Sequence, residues 1–159
     1  MKTAVLNSPL GKIELKGDKN GLAAVIFGDE LLIETKKEEI PSELKQAVFQ
    51  LKQYFDGKIT EFDLKLNLQG TVFQQKVWQQ LAAIPFGKTC SYMDIARRLG
   101  DPKVIRAAAS ANGKNPISII IPCHRVIGSD HSLTGYAGGI WRKKWLLEHE
   151  SPVRQISLF

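Results

Sequence analysis

The sequence SYMDIARRLGDPKVIRAAASANG, at residues 91–113, predicts two short helices joined by a tight turn. Ser91 is a favourable N-cap for the first helix. Asp101, followed by a proline, starts a second, alanine-rich helix over about residues 103–112, which carries Arg106. This arrangement is typical of a helix-turn-helix, whose second helix enters a groove of DNA. Helix hairpins are also common in proteins that do not bind DNA, so the pattern alone leaves both interpretations open.

Upstream of this pair, residues 1–69 predict a mixed lobe with a small antiparallel sheet and one helix. Ser42 is a plausible N-cap for the helix, and Gly57 ends it. The predicted strands and turns comprise a strand at 5–6, a turn at 8–11, a strand around 13–15, a turn at 18–21, a strand at 22–27 and a half-buried strand at 62–68.

Residues 70–159 predict a mostly helical lobe. Thr71 and Gln74 form a capping-box pair in front of an apolar helical face. A glycine-rich loop, GYAGG at residues 135–139, precedes a final helix, on which Arg142 to Lys144 favour an exposed face over a phosphate-contacting patch. The three tryptophans are predicted to be core residues. The fold class is therefore α+β, with an N-terminal α/β domain at 1–69 and a DNA-binding domain at 70–159.

Composition places the chain among soluble globular proteins, since 43% of its 159 residues are apolar and 24% are charged. Its apolar runs are far shorter than the about 20 residues of a membrane-spanning helix, and its start lacks a signal peptide, so we expect a cytoplasmic protein. Residues 1–70 carry a net charge of −1 and residues 71–159 a net charge of +7. The basic half favours a nucleic-acid partner, although a solvated basic surface would look the same.

The chain has two cysteines, Cys90 and Cys123, without the close pairing of a zinc site, so we expect no metal. Their spacing permits a disulfide, but a reducing compartment argues against one. Cys123 lies in the motif IPCHRV, at residues 121–126, next to His124 and Arg125. Such neighbours favour the nucleophilic thiolate, whereas an arbitrary Cys-His pair is usually a packed cysteine beside a surface histidine.

The IPCHRV motif resembles the active-site motif of the O6-alkylguanine-DNA alkyltransferases (methylated-DNA–protein-cysteine methyltransferases). The resemblance covers residues 70–150 strongly and the N-terminal part more loosely. The matching segments follow the family in order: GTVFQ at 70–74, VW at 77–78, IP at 84–85, Gly87, SY at 91–92, IA at 95–96, RA at 106–107, NP at 115–116, GYAGG at 135–139, and LL at 146–147 leading to Glu150.

This resemblance implies a protein that binds duplex DNA through the minor groove and flips an O6-alkylguanine out of the helix. O4-alkylthymine is a second candidate lesion. The cysteine then takes the alkyl group irreversibly, in one turnover, and needs no cofactor. We also expect a monomer, and the short apolar runs argue against contact with a membrane.

Roles follow from the resemblance position by position. Cys123 would be the acceptor, His124 the base that acts through a water molecule, and Glu150 the residue that orients His124. The resemblance gives catalytic roles also to Asn115, which would brace the turn, and to Tyr92, which would donate to the guanine. The residues implied to contact DNA or the base are Arg106, which would fill the gap in the helix, Tyr136, Ala137, Gly138, Arg125 and Val126.

Two departures from the family pattern are Ala109, where many relatives have glycine, and His131, in a turn that often holds glycine. Ala109 is expected to shift the second helix slightly, and His131 to stiffen its loop.

Three rival functions remain: a lesion-binding module without transfer, a transcription factor, and a thiol hydrolase. The lesion-binding relatives lack the acceptor cysteine, a transcription factor would not need Cys-His or Glu150, and a hydrolase would turn over repeatedly.

Overall fold

A computed structural model describes residues 1–130 and 132–152. The chain divides into two compact units. The first contains Met1–Gln69 and Pro116–Ser118, and the second begins at Gly70. The predicted α+β class is confirmed, since within the described residues the first unit carries the sheet and one α-helix and the second carries four α-helices.

Three antiparallel strands, in the order β1-β2-β3, form the sheet of the first unit. They are β1 (Lys2–Ser8), β2 (Gly11–Asp18) and β3 (Gly21–Phe27). Every second residue of β2 from Ile13 onward is buried, which confirms the strand predicted around 13–15. Gly21 adopts φ +126° in the second turn, where a side chain would be strained.

Helix α1 (Lys45–Phe55) follows a short 3-10 turn at Ser42–Leu44, so its N-cap is Leu44, two residues after the predicted Ser42. The strand predicted at 62–68 is wrong, because this segment makes only an isolated bridge between Leu66 and Leu22. Pro116–Ser118 instead returns to β3, where the Val25 N–H donates to the Pro116 carbonyl at 2.9 Å.

The second unit holds helices α2 (Val72–Ala82), α3 (Tyr92–Arg98), α4 (Ile105–Gly113) and α5 (Ile140–Glu150), with a short parallel pair of strands, β4 (Cys90–Ser91) and β5 (Val126–Ile127). The predicted capping box of Thr71 and Gln74 is confirmed. Trp78 is buried and donates to the Ala111 carbonyl at 2.9 Å, which ties α2 to α4. Trp141, predicted to lie in the core, is 56% exposed. None of the helices in the described part of the chain is long and apolar enough to cross a membrane.

Helices α3 and α4 form the predicted hairpin. Ser91 caps α3 in a second capping box, and Asp101 accepts a hydrogen bond from the Lys103 N–H in the connection. A 3-10 turn at Pro102–Val104 leads into α4, so this α-helix begins at Ile105 rather than at 103. Alanine at 108 and 111 buries one face of α4, while Arg106 lies on its exposed face.

Candidate active site around Cys123

Cys123 opens a 3-10 turn, Cys123–Arg125, directly after a proline. Its side chain is buried, and its N–H donates to the Ile121 carbonyl at 2.8 Å. The Asn115 amide donates to the same carbonyl at 2.7 Å and also hydrogen-bonds the thiol. Asn115 therefore connects the Ile121 carbonyl with the Cys123 thiol. Ile119 enters this segment with φ +72°, a conformation that a β-branched residue adopts only when its surroundings enforce it.

The surroundings of the Cys123 thiol act on its pKa in opposite directions. Burial raises its pKa, while the hydrogen bond from Asn115 and the charge of Lys143 act in the other direction. The net effect is a raised pKa, so the thiol rests protonated in the free protein. Both cysteines are free, and burial also raises the pKa of Cys90.

His124, Glu150 and Arg125 form a buried network. The Glu150 Oε2 lies 2.8 Å from the His124 Nε2, and its Oε1 accepts from the Arg125 Nε at 2.7 Å. Burial raises the pKa of Glu150, but the hydrogen bonds and charges of His124 and Arg125 outweigh burial and lower it to about 2. The carboxylate is therefore ionised, and the Nε2 of His124 must carry the proton that it donates.

This protonation leaves the other imidazole nitrogen as a base. The Nδ1 of His124 is buried and has no hydrogen-bond partner among the described residues. Burial lowers the pKa of His124 despite the nearby carboxylate of Glu150, so the ring is neutral and Nδ1 keeps its lone pair.

Arg125 and Val126, which the resemblance implied to contact DNA or the base, are both held in the interior of the second unit. Arg125 is buried, and besides Glu150 it donates to the Ile84 carbonyl at 2.6 Å. Val126 is also buried. The ion pair with Glu150 holds Arg125 inward, and the short β4-β5 pairing holds Val126. The two hydrogen bonds from Arg125 fix the position of the Glu150 carboxylate.

Lys143 is a member of the site that sequence reasoning missed. The exposed face predicted for it is wrong, since its side chain is fully buried. Its Nζ donates to the carbonyls of Val126 and Thr134, both at 2.7 Å, and burial lowers its pKa to about 8. The signal was its spacing on α5, where it shares a helical face with the buried Leu146 and Glu150.

A cavity of about 550 Å³ lies between α3, α4 and the glycine-rich loop. Tyr92, Tyr136 and Ala137 line it, as does the half-buried Ala109. The Tyr92 hydroxyl accepts from the Thr134 hydroxyl at 3.3 Å. The cavity thus brings together three of the residues predicted to contact the base.

Other predicted contacts lie apart from this cavity wall. Gly138 is buried, and its carbonyl accepts from Arg142 at 2.8 Å. Arg106 is exposed on α4. His131 lies outside the described residues. Ala109 faces the cavity.

Comparison with known proteins gives consistent matches along the chain. Residues 72–152 match the family described as 6-O-methylguanine DNA methyltransferase, DNA binding domain, and residues 1–68 match its ribonuclease-like domain. The methylated-DNA–protein-cysteine methyltransferase of Methanosarcina barkeri is 46% identical over 153 residues, which cover 92% of this chain and 94% of the relative. That of Mycobacterium tuberculosis is 46% identical over 147 residues, which cover 91% and 89%.

Solved structures agree. The crystal structure of the Mycobacterium tuberculosis O6-methylguanine methyltransferase matches with a TM-score of 0.80 and 42% identity, covering 99% of this chain and 98% of that one. The Mycobacterium tuberculosis OGT in complex with DNA matches with a TM-score of 0.81 and 44% identity, covering 98% of both.

The second unit combines a helix hairpin with a free, buried cysteine and a buried histidine-carboxylate pair, and its match to a DNA-binding domain places the chain in the class of DNA-binding proteins. The chain belongs to the 6-O-methylguanine DNA methyltransferase family, and the predicted family is confirmed.

Proposed function

We propose that this chain repairs DNA by moving the alkyl group of O6-alkylguanine onto its own Cys123. The observation that carries the proposal is the free, buried thiol of Cys123 beside the imidazole of His124, whose Nε2 is hydrogen-bonded to Glu150. The Nδ1 of His124 is therefore available as a base. The relatives at 44–46% identity bear the name of this activity.

The reaction begins with the thiol proton. His124 takes the proton of Cys123 at Nδ1, directly or through one water molecule, and becomes an imidazolium that Glu150 stabilises. The thiolate is then held by the Asn115 amide and the Lys143 charge, which both favour the ionised form. A thiol that rests protonated and ionises only in the assembled site is protected from other electrophiles.

Transfer then proceeds by in-line displacement at the alkyl carbon. The sulfur–carbon bond forms as the carbon–O6 bond breaks, and the bonding electron pair goes to the guanine. The Tyr92 hydroxyl supplies a proton so that the base leaves neutral, and the tyrosine regains it from the imidazolium of His124 through solvent. The products are a thioether at Cys123 and an unmodified guanine, so the protein reacts once.

DNA binding uses the exposed face of α4. A base inside the duplex is out of reach of a buried thiol, so it must be flipped, at a cost of a few kcal/mol. Arg106 would occupy the gap in the stack from the minor-groove side. Tyr136 would lie against the flipped base, and the Ala137 N–H would face the guanine oxygen. Gly138 lets this loop pass close to the base. O4-alkylthymine is a second candidate substrate.

Mass measurement after incubation with DNA that contains O6-methylguanine tests the proposal. We expect one methyl group, located on Cys123 by peptide mapping. Cys123→Ala should abolish transfer while it keeps lesion binding, and the matched control Cys90→Ala should leave transfer largely intact. Transfer that survives in Cys123→Ala would overturn the assignment. Repeated turnover would favour a hydrolase, and binding without transfer would favour a lesion-binding module.

Cytoplasmic location and a monomeric state belong to the same proposal. A cysteine acceptor must stay reduced, which a reducing compartment ensures. A single chain already holds the Cys123 thiol, the general base His124 and the cavity lined by Tyr92 and Tyr136, so one copy supplies every protein group that the reaction uses.

A further inference from the structure

Asn112 is a polar residue of the second unit to which the proposed reaction gives no role. It lies in the last turn of α4, is only 5% exposed and lines the cavity together with Tyr92 and Tyr136. Its Oδ1 is buried and has no hydrogen-bond partner among the described residues. Buried amide oxygens are paired in the great majority of cases, because an unpaired one costs about 1–3 kcal/mol.

The neighbouring Asn115 shows the contrast. Its carboxamide donates to the Ile121 carbonyl and so has a structural task in the same turn. The Asn112 carboxamide lines the cavity, so an occupant of the cavity can supply a donor to it. Rotation by 180° about χ2 exchanges its oxygen and nitrogen without a change of shape, so the oxygen can face an occupant of the cavity.

The two candidate lesions differ in what they offer to such an acceptor. Alkylation at O6 removes the N1 proton of guanine, so the 2-amino group is the remaining N–H donor on the base. O4-alkylthymine has lost its N3 proton and carries no exocyclic amine, so it has no N–H donor. A buried acceptor in the base cavity is therefore satisfied by the first lesion and left unpaired by the second.

We propose that Asn112 is a specificity-determining residue whose Oδ1 accepts a hydrogen bond from the 2-amino group of the flipped guanine. The inference rests on the proposed function, because it requires the alkylated base to enter this cavity. It selects O6-alkylguanine over O4-alkylthymine by leaving a buried polar atom unpaired when the wrong base is bound.

Asn112→Leu tests the proposal, because leucine has a similar volume and no acceptor. The variant should unfold at no lower temperature than the unmodified protein, since it removes an unpaired buried amide. A clear drop in unfolding temperature would indicate a structural hydrogen bond and would contradict the proposal.

The decisive experiment measures single-turnover methyl transfer at saturating protein with three duplexes that differ only in the lesion. The lesions are O6-methylguanine, O6-methylhypoxanthine, which lacks the 2-amino group, and O4-methylthymine. In the unmodified protein, loss of the 2-amino group should slow transfer. In Asn112→Leu, the ratio of the O6-methylguanine rate to the O6-methylhypoxanthine rate should be smaller by about five-fold, which is the equivalent of one neutral hydrogen bond. The preference for O6-methylguanine over O4-methylthymine should shrink by a similar factor.

The outcomes separate the two proposals. If both proteins methylate Cys123 and show the same guanine-to-hypoxanthine rate ratio, the assignment of Asn112 is wrong while the proposed function stands. If neither protein becomes methylated at Cys123 by any of the duplexes, the proposed function fails and the assignment fails with it.

Discussion

Replacing Glu150 by glutamine tests the buried network most directly. The carboxylate is 3% exposed and accepts from both His124 and Arg125, the latter through two nitrogens at 2.7 and 3.0 Å. Glutamine keeps the shape but removes the negative charge. One of its ends is also a donor, which then faces another donor.

The loss of stability follows from the pKa of Glu150 and from the charge left behind. The difference between the ordinary pKa of 4.5 and about 2 in the folded protein corresponds to about 3 kcal/mol at neutral pH. The buried Arg125 guanidinium also loses its counterion, and breaking such a pair costs about 3–5 kcal/mol. These two figures describe the same interaction, so we expect Glu150→Gln to lower the free energy of unfolding by about 3–5 kcal/mol at pH 7.

The pH dependence has a definite sign. Because folding lowers the pKa of Glu150, its contribution is complete above pH 4.5 and is lost as pH falls toward 2. The stability difference between the unmodified protein and Glu150→Gln should therefore be largest above pH 4.5 and should narrow toward pH 2.

Urea unfolding followed by circular dichroism from pH 7 to pH 2 measures this difference. Glu148→Gln is the matched control on the same helix, because Glu148 is exposed and its pair with Lys144 spans 4.0 Å. That control should change stability by less than about 1 kcal/mol. An unchanged urea midpoint for Glu150→Gln at pH 7, or a difference that does not vary with pH, would refute the ionised, paired state of Glu150.

Three further predictions concern DNA and the thiol. Arg106→Ala should slow repair in duplex DNA but spare reaction with free O6-benzylguanine. Arg106→Lys should restore part of the duplex rate, because lysine keeps the charge but lacks the planar guanidinium. Equal losses in the duplex rate and the free-base rate would instead assign Arg106 a role in the fold. Affinity for DNA, measured by fluorescence anisotropy, should fall steeply as salt rises, and salt-independent binding would contradict contacts to phosphate. Lys143→Met should remove the donor from the buried Val126 carbonyl and from the partly buried Thr134 carbonyl, cost about 1–3 kcal/mol in urea unfolding and raise the pKa of Cys123 further, as seen in the pH profile of iodoacetamide alkylation. An unchanged profile would show that the ammonium does not act on the thiol.

Local signals in the sequence predicted most of the elements. Capping boxes, turn glycines and alternating apolar residues involve positions only a few residues apart. The capping box of Thr71 and Gln74 and the turn at Gly21 could therefore be predicted from the sequence. The segment at 62–68 alternates as well, yet it forms no strand. A strand needs a neighbour along its length, and only Leu66 finds one, at Leu22.

The site divides in the same way. The sequence by itself determined the family, the IPCHRV motif around Cys123 and the helix hairpin, because these depend on residue types in a fixed order. Only the tertiary structure decided that Arg125 pairs with Glu150 and that Lys143 is buried against two carbonyls. A charged side chain is exposed unless the fold supplies a partner for it, and those partners lie 25 residues away for Arg125 and 17 and 9 residues away for Lys143. Sequence patterns carry no record of such distant pairing, so these interactions exist only once the chain has folded.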